Sequence, residues 1–338
     1  MKKSIIALAV AGALTAPLAQ ADATLYGVAQ FRLIDQDEKS LNAQMAKTRL
    51  GVKGTVDNDI EGLTTGFQFE WEFSGANGDD AGISEVRKSL VYMKGDFGQV
   101  TFGRQNNPAA AFKKADIMGR HSAQFALVGD RISNAITYAS PDLSGLQLHA
   151  GFTADGANED AAAATATTIP ATGAPTLGTD ATTGSEDADA YILGATYGIA
   201  GFDLALTHVA SNNKADNTDT DTTSFGVGYT MGDLYLAASY SEMDSDVADS
   251  DADVTQLAAS YGIGKTTVYA QYEVLDQDGA DEKLKKTGLG VSYALGSSAS
   301  VALETFQFND EAEETVATST GATSVVADAT VLQYTLSF

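Results

Sequence analysis

The sequence predicts an all-β chain, a transmembrane antiparallel β-barrel of about sixteen strands with short turns at one end and long loops at the other. Three observations carry that expectation. From Thr24 onward, apolar and polar residues alternate with period two, as in a strand with one greasy face. The connections between these segments alternate between tight turns and long polar stretches, which is the plan of a membrane barrel. Beyond the N-terminus no stretch stays apolar for the ~20 residues that a spanning helix needs.

The N-terminus comes first. Lys2 and Lys3 precede an apolar run from Ile5 to Leu14, and Ala19-Gln20-Ala21 follows. A positive start, a short apolar core and an A-x-A site make residues 1–21 an expected secretory leader, with 22–338 as the barrel domain. Strands are expected near 24–34, 45–56, 60–73, 85–95, 98–104, 131–140, 145–153 and 189–198. The second half adds 202–210, 222–231, 233–242, 253–262, 265–273, 284–295, 298–308 and 328–338. Leu25, Gly27, Ala29, Phe31 and Leu33 share one face of the first strand. Phe67, Phe69, Trp71 and Phe73 oppose Gln68, Glu70 and Glu72 in the third, and Leu332, Tyr334, Leu336 and Phe338 end the last.

Tight turns are expected at Asp57–Asp59, Gly95–Phe97, Asp142–Ser144, Ile199–Gly201, Met231–Asp233, Ile263–Gly264 and Gly296–Ser297. The long connections are 105–130, 154–188, 211–221, 243–252, 274–283 and 309–327. A helix-free sheet this large must close on itself to remove its edges. A soluble β-sandwich would instead need two domains and a linker, and no linker is visible. The pattern gives no sign of a large buried core.

Composition narrows function. Without cysteine, no disulfide framework or thiolate chemistry is available. The formal net charge is −25, and losing Lys2 and Lys3 with the leader makes it −27, which excludes nucleic acid, a partner that needs a basic stripe. The acidic runs Glu242–Asp253 and Asp310–Glu314 lack the Asp-x-Asp-x-Asp-Gly spacing of a calcium loop. They read as a solvated surface, with divalent bridging to lipopolysaccharide as the other reading. Gly262–Thr267 ends like a phosphate loop but sits in a turn that precedes no helix. His121, His149 and His208 lie on separate elements with no nucleophile motif beside them. His149 is expected in the lumen and His208 outside. Neither an enzyme nor a cofactor or metal site is expected.

The basic residues fall on the wet face. If Leu50 and Val52 meet lipid, Lys47, Arg49 and Lys53 point inward. Arg32 points inward from the first strand, Arg87 lies opposite Leu90 and Tyr92, and Arg131 lies opposite Ile132 and Ile136. An arginine facing lipid at mid-bilayer costs ~2–4 kcal/mol in such barrels, so the lumen is the favourable place. Arg104 shares parity with Val100 and Phe102 and is expected toward lipid or a subunit interface.

An ordered set of motifs adds to this reading: Thr24-Leu25-Tyr26-Gly27, Arg49-Leu50-Gly51-Val52-Lys53-Gly54, Gly95-Asp96-Phe97-Gly98-Gln99-Val100 with Phe102-Gly103-Arg104, Arg131 to Tyr138, Ser140-Pro141 and Phe338. Over essentially the whole mature length the chain resembles the Gram-negative general porins. The resemblance implies an outer-membrane homotrimer, a third loop (105–130) folded into the lumen, and passive diffusion of ions and small hydrophilic solutes. It places Arg49, Arg87 and Arg131 on a basic ladder facing carboxylates of that loop. Here the loop offers only Asp116 and, at its end, Asp130, beside Lys113, Lys114, Arg120 and His121. A net positive constriction, one route to anion preference, follows. Phe338 resembles the aromatic end recognised by the barrel-assembly machinery. The alternatives are a channel preferring an anion or sugar, and an adhesin or receptor using the acidic loops.

Overall fold

The computed structural model describes residues 21–37, 39–74, 82–118, 125–154, 190–213, 218–280, 282–309 and 328–338. Residues 1–20, where most of the expected leader falls, lie outside that set, as do Arg120, His121 and the 310–314 acids. Sixteen strands are present: β1 (Ala21–Gln36), β2 (Asn42–Val56), β3 (Thr64–Ser74), β4 (Gly82–Gly95), β5 (Gly98–Asn106), β6 (Arg131–Ala139), β7 (Leu146–Thr153) and β8 (Ala190–Ile199). They continue as β9 (Phe202–Asn213), β10 (Thr218–Met231), β11 (Leu234–Ser245), β12 (Ala252–Ile263), β13 (Thr266–Gln277), β14 (Leu284–Ala294), β15 (Ala299–Phe308) and β16 (Ala329–Ser337). Each pairs antiparallel with its sequence neighbours, and β16 pairs with β1 to close the barrel. Phe338 completes the seam by exchanging backbone hydrogen bonds with Gly27 at 2.9 and 3.1 Å.

Alternation does what period two requires. Leu25, Phe31, Val91, Leu206, Leu257 and Leu289 are exposed on the outer face, whereas Ser224, Ser241, Gln256 and Gln333 are buried on the inner one. Closure gives every strand two hydrogen-bonded neighbours and leaves no sheet edge, which is why a barrel can cross lipid. His149 points inward, close to Gly194 near Thr207, and His208 is exposed and bonded to Thr223 at 3.0 Å. Several loops are shorter than their composition implies. β9 and β10 run on to leave only 214–217 between them, and β11 to β12 and β13 to β14 similarly extend. Ser, Thr, Asn and Asp carry a strand perfectly well once it has left the bilayer, so polarity alone does not mark a loop there.

Strict parity fails at three places, all from bulges. Register shifts beside Glu70 and Glu72 break the β3–β4 pairing. Leu90 and Tyr92, expected outside, therefore face the lumen with Lys88, and Val91 and Met93 face out. Arg87 still points inward because it occupies the bulge itself. In β6, Asn134 has a positive φ of 50° and a second shift lies at Gly103 to Gln105. Ile132 is consequently fully buried inside the barrel rather than facing lipid, while Ile136 does face out. Arg104 is the third case. The β4–β5 pairing ends at Ser89 and Arg104, just below where the chain turns into the lumen. Its guanidinium closes the resulting gap by reaching the Val86 carbonyl, Ser133 and Glu85 instead of lying against lipid.

A packed core does exist, in four small clusters, and the loop after β5 makes it. Phe112, Ala109 and Val128 meet Ile132, Ile192 and Val209; Met118 meets Ile34, Phe306 and Val331; Phe125 meets Val254 and Leu284. Ala115 sits among Ala237 and Ala258. The inner wall is apolar mainly where the loop covers it, with Leu90 and Tyr92 of β4 as an uncovered exception.

Candidate functional site: the lumen

The loop enters the barrel through a tied neck. Asn107 Oδ1 accepts from the Ala109 amide at 3.0 Å, its Nδ2 donates to the Gly129 carbonyl, and its backbone N–H donates to the Asp130 carbonyl. Asn107 is thus the N-cap of a short 3-10 turn, Pro108–Phe112, with Pro at the first position where no N–H is needed. That turn presses on the wall so closely that a Cβ at Gly226 of β10 would stand 1.9 Å from the Phe112 carbonyl oxygen.

From there the loop follows the inner face of β9 to β15, tethered by wall side chains. The Thr207 and Ser239 hydroxyls donate to the Ala109 and Phe112 carbonyls at 3.0 and 2.9 Å. Tyr235 donates to the Lys114 carbonyl at 2.8 Å, and the Gln271 Oε1 accepts from the amides of Ile117 and Met118. The Glu273 carboxylate accepts from the Phe125 amide at 2.9 Å, and Gln256 donates to the Phe125 carbonyl. Glu273 also pairs with Lys286 at 2.7 Å, with the two side chains only 1% and 3% exposed. Lys286 lies over the Phe125 ring as well.

The opposite wall, β2 to β6, holds the charges. Arg49 pairs with Glu72 at 2.7 Å, and Arg87 pairs with Glu70 at 2.7 Å and more loosely with Glu72 and Glu85. Arg131 and Arg104 both reach Glu85 at 2.9 Å. Tyr26 donates to Glu70 at 2.9 Å, and Lys53 lies over the Tyr26 ring. Arg32 donates to Gln333 at 2.7 Å. These pairs are part-buried yet still reach lumen water, and each adds little net stability. Their effect is to hold flat guanidinium groups in fixed places.

The sequence therefore identifies Arg49, Arg87 and Arg131 as one group, and the structure brings them together. It misplaces their counter-charge. The carboxylates in contact are Glu70, Glu72 and Glu85 of the same wall, not those of the loop. Parity puts Glu70 and Glu72 on the polar face, and Glu85 shares the parity of Arg87. Asp130 instead accepts from Lys113 at 2.6 Å, and Lys114 pairs with Asp203 of β9. Lys47, Lys53, Lys88 and Lys94 form no ion pair among the described residues.

Asp116 stands on the inner side of the loop, exposed to lumen water yet surrounded by protein. That enclosure pushes its carboxyl up to about 7, with Lys113 pulling the other way. Enclosure also acts upward on Asp130, but Lys113, Arg131 and Arg87 outweigh it and hold that group below the usual carboxylate range. Among the described residues no cluster of three or more His, Asp or Glu side chains could hold a metal ion. The described lumen thus presents a set of fixed charges in contact with water.

Comparison with known proteins agrees with this picture. Residues 7–312 match the family model of the Gram-negative porins. Outer membrane porin protein 32 of Delftia acidovorans is 33% identical over 177 residues, which is 46% of this chain and 50% of that protein. A monosaccharide porin of a Halomonas species is 29% identical over 179 residues, covering 45% and 49% of the two chains. The matches thus span about half the length of these relatives. Among solved structures, OmpF of Salmonella typhi superposes with a TM-score of 0.71 at 16% identity, over 94% of this chain and 97% of that one. An anion-selective porin from Comamonas acidovorans gives 0.66 at 20% identity, over 94% and 100%. A closed sixteen-stranded barrel with its third loop lodged inside, matched over most of its length by that family model, is a multi-pass protein of the cell outer membrane and belongs to the Gram-negative porin family.

Proposed function

We propose that the chain forms a water-filled channel for passive diffusion of ions and small hydrophilic solutes, narrowed by the third loop on one side and the arginine cluster on the other. One observation carries the reading: the inward charges of β2 to β6 face a loop pinned along the opposite wall. In this reading the channel works as a homotrimer in lipid and lipopolysaccharide. Residues 1–21 are removed on export, and Phe338 marks the chain for barrel assembly. A trimeric form is known for the structurally similar OmpT of Vibrio cholerae, with a TM-score of 0.63 at 18% identity.

Anion preference is the second reading, favoured by the lysines that lack a carboxylate partner. The wall carries Arg49, Arg87, Arg104 and Arg131 against three glutamates, with Lys47, Lys53 and Lys88 besides. Single-channel recording in a planar bilayer tests both readings. A large conductance, linear with voltage, is expected in potassium chloride, and a reversal potential of anionic sign in a salt gradient. Replacing Arg49, Arg87 and Arg131 together by Gln strips Glu70 and Glu72 of their arginines, leaves Glu85 with Arg104 alone, and should shift the reversal potential toward cations. An unchanged reversal potential would refute the role of the cluster.

A further inference from the structure

We infer that the lumen holds a recess for an amphipathic organic anion, one with a carboxylate and an apolar or aromatic body, on the inner wall of β3 to β5. The inference rests on the channel reading and deepens it. The recess has a volume of 660 Å³ and extends down to the β4–β5 turn. Its axis is the inward row of β4: Lys88, Leu90, Tyr92 and Lys94.

That row has an order that suits such a solute. The two lysines lie six residues apart, so their α-carbons stand ~20 Å apart along the strand. Neither forms an ion pair among the described residues. Between them lies an apolar floor. A Cβ at Gly66 would fall 2.4 Å from the Tyr92 ring and hydroxyl, so the ring lies along the sheet over that glycine instead of standing into the channel. Leu90 continues the same surface and is 9% exposed. Gln68 and Gln99 flank it with amide groups, and Asp96 sits in the turn at the lower rim.

A small inorganic ion would use one ammonium and gain nothing from Leu90 or Tyr92. A carboxylate with an attached ring can place its charge on Lys88 or Lys94 and its body on the tyrosine. Long flexible stems let either ammonium lean toward the floor. Asp96 disfavours a second negative charge at the bottom, so a monoanion fits better than a dianion with widely separated ends.

Benzoate is the probe, added to the mature protein in planar bilayers bathed in potassium chloride. Conductance should fall with benzoate and saturate, while acetate and inorganic phosphate at equal concentration act far more weakly. Lys88→Gln with Lys94→Gln should raise the half-blocking concentration about tenfold. The milder Lys94→Gln alone, at the accessible lower end, should raise it about threefold. Tyr92→Ser should weaken benzoate while leaving acetate unchanged. A normal conductance that benzoate does not reduce, or a block equal in the wild type and in Lys94→Gln, overturns the recess. Phosphate blocking as well as benzoate, with no effect of Tyr92→Ser, overturns the organic class of ligand. Loss of conductance in potassium chloride alone would instead fail the channel reading, so the two failures are separable.

Discussion

The two halves of the inner wall obey the same alternation and use it differently. On β2 to β6 the inward positions meet water, and they carry arginine, lysine and glutamate at close quarters. On β9 to β15 many inward positions meet the third loop, where Thr, Ser and Gln bond to loop atoms and Ala, Val, Leu and Phe pack against it. A charge in the lumen is solvated wherever water reaches it, whereas a charge beneath the loop must be matched before burial is tolerable. One buried charge pair, Lys286 and Glu273, lies on the covered side, and it is among the best satisfied groups in the barrel.

That contrast can be broken most severely at the buried pair. Lys286→Met leaves Glu273 charged under the loop and should cost ~3–5 kcal/mol, whereas Lys286→Met with Glu273→Met should recover most of it. Thermal unfolding followed by circular dichroism or gel mobility checks this; equal losses in the single and double variants would mean the pair has no special role. Gly226→Ala comes next. The added methyl meets the Phe112 carbonyl, and displacing the 3-10 turn should cost ~1–3 kcal/mol. Changed single-channel conductance together with faster protease cleavage within the loop is the expected sign.

The uncovered wall should respond in selectivity rather than stability. Glu85→Gln frees Arg87, Arg104 and Arg131 from one carboxylate. A partly exposed charge of this kind is worth ~0.5–1 kcal/mol, so the anion-to-cation permeability ratio should rise about twofold to fivefold. Reversal potentials measure it, and a shift toward cations would contradict the arrangement. The smallest effect belongs to Asp116. Its carboxyl is ionised above about pH 7 and takes a proton below it, so acidification through that range removes one negative charge from the lumen. Anion preference should grow slightly as pH falls from 8 to 6, and Asp116→Asn should abolish the change.

Much of this was legible before the structure. Sixteen strands, their turns and the inward course of Arg49 follow from period two, and the cost of charge in lipid anticipates Arg87 and Arg131 inside even though bulges break the parity there. Three kinds of information were not legible. Bulges hide in the sequence because an extra residue changes parity without changing composition, so alternation alone puts Leu90, Tyr92 and Ile132 on the wrong face. Loop docking is also invisible, since Gln271, Gln256 and Glu273 look like any wet lumen residues until something covers them. Lastly, the partner of an arginine is a matter of register: Arg49 meets Glu72 because β2 and β3 set them side by side.

The tethers of the third loop also constrain how the barrel is put together. Ala115 bonds to Ser239, and Met118 to Gln271, across 124 and 153 residues of chain. Contacts so distant in sequence close late, because the intervening chain must be ordered first. The strands that hydrogen-bond to the loop, β9 and β11 to β13, are all made after it, so the lodging of the loop cannot guide the early hairpins. Seating it is a closing step of assembly, and a barrel halted before that step would be a wider and less discriminating hole.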